Sequence, residues 1–311
     1  MNYILGSNKK GCFSVLTILT ILILASGCAA KDENVIQTDE VQKELRIGLI
    51  LWDEPVKVSQ QFSGVENYLG SELGMEIRTI KSSDYYVIID AMEAGELDMA
   101  FFGPFSSVIA AERAGSEIII AGANDEGKLD TYNSYIIVNR NTRINSTDEL
   151  AENSHNVTFS FVDPASTSGN LVPRGYLLSQ DIDPETDFGS VIFSGGHDIT
   201  IKSVISGNIV DAGAVASTAY GRYFEDDNSS ENDILIIWES GPIPPNPIAV
   251  RGDMDPVLRE NIKNAFLDMK TKSPETFESF MEVRDNHASY IEANNSDYAF
   301  IREMAQAMDY I

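Results

Sequence analysis

Short runs of consecutive apolar residues alternate along the chain with stretches whose apolar positions recur every three or four residues. The first pattern reads as buried strands, the second as helices with one apolar face. Leu45 to Trp52 is a strand, and Phe62, Val65, Leu69 and Leu73 then follow at helical spacing. Met75 to Ile80 reads as a strand, Tyr85 to Glu93 as a helix ending near Gly95, and Leu97 to Phe102 as a strand broken by Gly103-Pro104. Phe105 to Ala114 is helical and Glu117 to Ala121 extended. Strand and helix in regular alternation predict an α/β fold with a largely parallel sheet.

A second unit begins at Tyr135 to Val138, a strand that crosses out of the first lobe. Ser146-Thr147-Asp148-Glu149 opens a capped helix. Val157 to Phe161, Val191 to Phe193, Val210 to Val215 and Ile234 to Trp238 are further strands with helices between them, and Glu225 to Ser230 is a solvated loop. Pro242, Pro244, Pro245 and Pro247 stiffen a segment that cannot be helical, read here as the return crossover. The tail is helical over Pro256–Lys270, Pro274–Glu282 and Ser296–Met308. The expected organisation is a signal peptide over 1–27, a flexible tether over 28–44, the first part of lobe 1 over 45–136, lobe 2 over 137–242, and the return to lobe 1 with the C-terminal helices over 243–311. Two α/β lobes joined by two crossovers leave a cleft suited to ligand capture by hinge closure.

The amino terminus sets the compartment. Lys9 and Lys10 precede an apolar run from Cys12 to Ala25, shorter than the roughly 20 residues a membrane span needs. Small residues follow, in Leu24-Ala25-Ser26-Gly27-Cys28. This is a secretory signal whose end is similar to a bacterial lipobox, with Cys28 as the lipid-bearing first mature residue. The chain has two cysteines, and removal of the signal leaves Cys28 alone, so no internal disulfide forms. Formal net charge is −26. Such an acidic chain does not bind nucleic acid nonspecifically, and any anion it holds must be captured by a local site against the overall field.

The densest chemistry lies in Asp163-Pro164-Ala165-Ser166-Thr167-Ser168-Gly169, where three hydroxyl residues stand between a strand and a helix. The first turn of a helix leaves amides unpaired and carries partial positive charge, so hydroxyls there make a site for a tetrahedral oxyanion. Ordinary helix capping needs only one such residue and remains open as a reading. Ser194-Gly195-Gly196-His197-Asp198 sits at another strand end, where His197 is either a loop histidine or a donor to the anion. Trp52, Tyr85, Phe102 and Phe105 fall near strand ends of the first lobe, either in its core or walling a pocket. The same residues permit a hydrolase, with Ser166 or Ser168 as nucleophile, His197 as base and Asp198 or Asp211 as its orienter. Against it, neither serine lies in a Gly-x-Ser-x-Gly elbow. A metal hydrolase is weaker still, because His155, His197 and His287 are scattered.

Taken together, Ser83-Asp84-Tyr85, Phe101-Phe102-Gly103-Pro104, the Asp163–Gly169 string, Gly195-Gly196-His197-Asp198, Val210-Asp211-Ala212-Gly213 and Ile243-Pro244-Pro245-Asn246-Pro247-Ile248 resemble the phosphonate-binding, PhnD-like family of ABC transporter substrate-binding proteins. The resemblance spans about Leu45 to Lys270. It implies the two-lobed type II periplasmic-binding fold, with Ser166, Thr167, Ser168 and His197 on the phosphonate oxygens and Tyr85 as a further contact. It also implies a permease and an ATPase as partners, no cofactor and a monomer, which the lipobox-like signal end would hold on the outer face of the cell membrane by lipid on Cys28, unless it is free in the periplasm. A sensor domain reporting ligand status is the other non-enzymatic reading of this fold. Phe102 stands where the family often has a contacting tyrosine. Thr218 and Asn246 stand where members that take aminoalkylphosphonates use acidic residues. An ammonium group buried without a carboxylate is badly desolvated, so the expected ligand has no amine: phosphite, methylphosphonate or a similar small phosphonate, with phosphate next.

Overall fold

The computed structural model describes residues 43–226, 231–284 and 287–311. The expected signal peptide, Cys28, the tether up to residue 42 and residues 227–230 of the acidic loop lie outside the described residues. In chain order the first elements are β1 (Glu44–Ile50), α1 (Pro55–Leu73), β2 (Glu76–Ser82), α2 (Tyr85–Glu93), β3 (Met99–Phe101), α3 (Pro104–Ala114) and β4 (Glu117–Ala123). The chain then crosses to β5 (Ser134–Asn139), α4 (Thr147–Asn153), β6 (Thr158–Phe161), a π-helical turn (Thr167–Leu171), α5 (Val172–Ser179) and α6 (Pro184–Asp187). β7 (Ser190–Phe193), α7 (His197–Ser206), β8 (Ala212–Ala216), α8 (Ser217–Asp226) and β9 (Ile234–Glu239) complete that part. It returns through β10 (Ile248–Val250), α9 (Pro256–Lys272), α10 (Pro274–Met281), β11 (Ser289–Glu292) and α11 (Ala299–Ala307).

The strands form two sheets, ordered β11-β4-β10-β3-β1-β2 and β7-β6-β8-β5-β9. In the first, β1 pairs parallel with β2 and β3, but β10 enters antiparallel between β3 and β4, and β11 lies antiparallel on β4. In the second, β6 is parallel to β7 and β8, while β5 runs antiparallel to β8 and β9. The sheets are therefore mixed rather than largely parallel, because the strands that carry or follow a crossover enter each sheet from the opposite end. Glu44, assigned from sequence to the tether, already pairs with Glu76 at the start of β1.

The first lobe closes around aromatic rings. Phe62 meets Phe101 edge-on at 5.1 Å, and Phe101 meets Phe266 and Phe280 at 5.7 Å. Such edge-to-face pairs add about 0.5–1.5 kcal/mol each to their area burial. The second sheet has its own cores, Phe159, Phe161 and Leu177 on one face and Ile201, Val204 and Val215 on the other. Two connections join the sheets, residues 124–133 and 240–247. They are tied together where Tyr132 and Ile243 exchange backbone hydrogen bonds of 3.0 and 2.7 Å. The proline-rich segment is thus the return crossover, as read from sequence.

Candidate functional site

The carboxyl ends of β1, β3, β6 and β8 and the turn after β7 converge on one cavity of about 20 Å³. This is where an open α/β sheet collects its ligands. The second lobe supplies most of the polar groups. After β6, Asp163 Oδ1 accepts from the Ala165 amide at 2.8 Å and turns the chain toward the helix. Ser166 caps that helix, its Oγ accepting from the Gly169 amide at 3.1 Å. The next residues form a π turn, in which the Leu171 amide reaches back five residues to the Ser166 carbonyl at 3.0 Å. A π turn widens the helix opening, a form found often at functional sites. Gly169 permits it, since a Cβ there would lie 2.5 Å from the Val162 side chain.

His197 is the first residue of α7, placed by Gly195 in a left-handed conformation at φ 83°. Its Nδ1 accepts from the Ala216 amide at 3.1 Å, which leaves the ring's own N–H on Nε2. Nδ1 therefore has no hydrogen for a carboxylate orienter to hold, as a hydrolytic triad requires. Among the described residues, no group of three or more His, Cys, Asp or Glu side chains is placed to hold a metal ion.

The lobes are closed on each other. The Phe105 amide, in the first turn of α3, donates to Thr167 Oγ1 at 2.8 Å. The Tyr85 amide donates to Asp163 Oδ2 at 3.3 Å, and the His197 amide to the Trp52 carbonyl at 3.0 Å. Arg222 Nη2 on α8 donates to Asp53 Oδ2 at 3.1 Å, with both side chains buried. Each bond joins a residue of one lobe to a residue of the other.

These contacts set the electrostatics. Burial pushes the Asp53 carboxyl up to about 6, although Arg222 opposes it, and Asp198 and Glu54 add to the rise. Burial likewise pushes Asp163 up to about 6, against the pull of the Ala165 and Tyr85 amides. Tyr85 is held well above the ordinary phenol value, chiefly by burial, with Asp163 adding and a hydrogen bond to Ser166 opposing. It stays a neutral hydroxyl. Behind the first-lobe wall, Arg284 is fully buried, its guanidinium 4.8 Å over the Trp52 ring and its Nη2 donating to the Asn246 carbonyl at 3.0 Å. The buried Trp52 indole N–H has no hydrogen-bond partner among the described residues.

Of the residues expected from sequence, Tyr85, Ser166, Thr167, Ser168, His197, Thr218 and Asn246 all line the cavity. Phe102 does not: it is buried in the first-lobe core, its amide bonded to the Pro247 carbonyl at 3.1 Å, and its neighbour Gly103 faces the cavity instead. Phe105 belongs to the same core. Sequence reasoning missed Tyr132 and Arg222. Arg222 carries a usable signal, for it stands four residues after Thr218 and so on the same face of α8.

A family model described as the periplasmic substrate-binding protein of phosphonate ABC transporters matches residues 47–298. The phosphate-import protein PhnD of Mycolicibacterium smegmatis is 28% identical, the match covering 91% of this chain and 92% of that one. The phosphonates-binding periplasmic protein of Escherichia coli is 26% identical over 76% of this chain and 69% of its own. The crystal structure of a binding-protein component of an ABC phosphonate transporter from Pseudomonas aeruginosa superposes with a TM-score of 0.78 at 21% identity, covering 86% of this chain and 87% of the other.

Proposed function

The chain belongs to the family of periplasmic substrate-binding proteins of phosphonate ABC transporters, and from that premise we propose that it captures phosphite, methylphosphonate or another small amine-free phosphonate. It is a transport component and not an enzyme, and it serves an importer's permease and ATPase. The observation that carries the choice of ligand is the lining itself. Tyr85, Ser166, Thr167, Ser168, Asn246 and His197 all bring hydrogen-bonding groups, yet no carboxylate is among the described residues that line the cavity. A phosphorus oxyanion finds donors there on several sides, whereas an ammonium group finds no counter-charge. The small volume favours a short tail. The Trp52 N–H, unpartnered among the described residues, is a further donor whose burial an arriving oxygen would offset.

In mechanism, the second lobe holds the anion at the opening of the π turn, where the free amides and the dipole of the following helix favour negative charge. The His197 Nε2–H and the Tyr85 hydroxyl complete the shell. The first lobe then closes, and Phe105, Tyr85, Trp52 and Asp53 form the cross-lobe bonds. Closure is driven only by contacts that the ligand makes better in the closed form than in the open one. The hinge is the pair of crossovers at 124–133 and 240–247, which we take as the lobe boundaries. Lipid on Cys28 would hold this monomer on the outer face of the cell membrane, within reach of its permease.

Titration calorimetry on the chain from Lys31 onward tests the ligand assignment. Phosphite and methylphosphonate bind at least about tenfold more tightly than 2-aminoethylphosphonate, a gap of about 1.4 kcal/mol. Phosphate falls between them, its fourth oxygen needing a partner. Tightest binding to the amine compound overturns the assignment.

A further inference from the structure

We propose that Arg222 is the counter-cation of the bound anion, that Asp53 is its positioning residue, and that anion capture is coupled to the uptake of a proton by Asp53. The inference rests on the ligand class proposed above.

Arg222 is the one cationic side chain among the described residues that line the cavity. It is buried, and its Nη2 is held by Asp53 Oδ2 at 3.1 Å from the opposite lobe. In the closed form Asp53, while ionised, offsets the charge of Arg222. A bound phosphonate beside Arg222 then places two anions against one guanidinium away from water. Like charges sharing a buried site raise the proton affinity of one of them. Asp53 is the group poised to take that proton. Asp198 lies near it in the first turn of α7, itself paired with Lys202, and Glu54 is its chain neighbour. Tyr85 lies within electrostatic reach of Asp53 as a neutral hydroxyl, and the Asp53 carboxyl of the closed form sits at about 6, chiefly through burial. When it protonates, Asp53 no longer offsets the charge of Arg222 against the ligand, and its oxygen still accepts from Nη2. The balance is simple: one proton leaves solvent and joins the Asp53 carboxylate as the lobes close over one anion.

The sign follows. Proton uptake on binding makes affinity fall as pH rises, beyond whatever the ligand's own titration contributes. Methylphosphonate is the probe, titrated near pH 7.5 in buffers of different ionisation enthalpy, which gives the number of protons taken up. Asp53→Asn keeps an acceptor for Arg222 and cannot take a proton, so the wild-type count minus its count isolates Asp53. The expected difference is positive, up to one proton, with Asp53→Asn binding at least as tightly as wild type at pH 8. Arg222→Gln is expected to weaken binding by about tenfold to a hundredfold, as loss of a charge-assisted contact does, with Arg222→Lys in between. Melting temperatures without ligand show that each variant is folded. If Arg222→Gln does not fold, the Asp53→Asn proton count and the Arg222→Lys affinity decide. Equal proton counts for wild type and Asp53→Asn overturn the coupling. Wild-type affinity in the Arg222 variants overturns the counter-cation. Absence of binding by wild type to methylphosphonate, phosphite and phosphate alike sinks the earlier ligand reading instead.

Discussion

Thr167 shows how much one hydroxyl does here. Its Oγ1 accepts the Phe105 amide across the cleft, and its own hydrogen stays available to an anion oxygen. The sequence offers it as a candidate ligand donor, because three consecutive hydroxyls at a strand-to-helix junction exceed what one cap requires. Its second duty is not visible there, since the two partners stand 62 residues apart. Thr167→Val keeps the shape, removes the proposed ligand donor and leaves the Phe105 amide without its acceptor. The expected loss in methylphosphonate affinity, read by calorimetry, is about 1.5–3 kcal/mol. An unchanged affinity removes Thr167 from the site. Phe102 and Arg222 mark the limits of reading by residue. An aromatic one place past a strand end turns toward core or cleft according to the local twist, and Phe102 turns into the core. Arg222 bonds to Asp53, 169 residues away on the other lobe, so only the fold brings these two together.

Among the elements, those with a full apolar period are placed well from sequence. α2 runs over the expected Tyr85–Glu93, and β4 begins at the expected Glu117. β10 and β11 escaped notice for a physical reason. Ile248–Val250 is three residues long after a proline-rich run, and Ser289–Glu292 alternates too briefly to show a period. Both become strands because an existing sheet offers unpaired edges to them. The π turn was likewise invisible, as it depends on packing at Gly169 rather than on propensity. Gly169→Ala sets a methyl about where Val162 already lies, and the expected outcome is about 1–3 kcal/mol of lost stability together with weaker ligand binding. Denaturant unfolding with and without methylphosphonate measures both. Full stability in this variant would mean that the turn does not need its glycine.

Across the whole molecule, the lobes close by burying charge. Asp53 and Asp163 each accept a bond from the opposite lobe, and both carboxyls sit at about 6, above their ordinary range. Groups raised on folding hold extra protons in the folded state between that ordinary range and pH 6. Their contribution to stability is therefore most favourable at low pH, declines as pH rises through this window, and is at its worst above it. In thermal melts without ligand, the Asp53→Asn and Asp163→Asn double variant gains on wild type as pH goes from 5 to 7.5. A constant difference across that range contradicts the assignment of these two carboxyls. The two-lobed plan itself was legible in the two runs of strand–helix units and the proline-rich return that follows them.

A crystal structure of the chain from Lys31 onward, grown with methylphosphonate, tests the central claim most directly. The account expects the phosphonate oxygens within hydrogen-bond distance of the Ser166–Ser168 turn and of His197 Nε2, under closed lobes. A cavity without phosphonate in such a crystal, or a ligand seated where these residues do not touch it, contradicts the account.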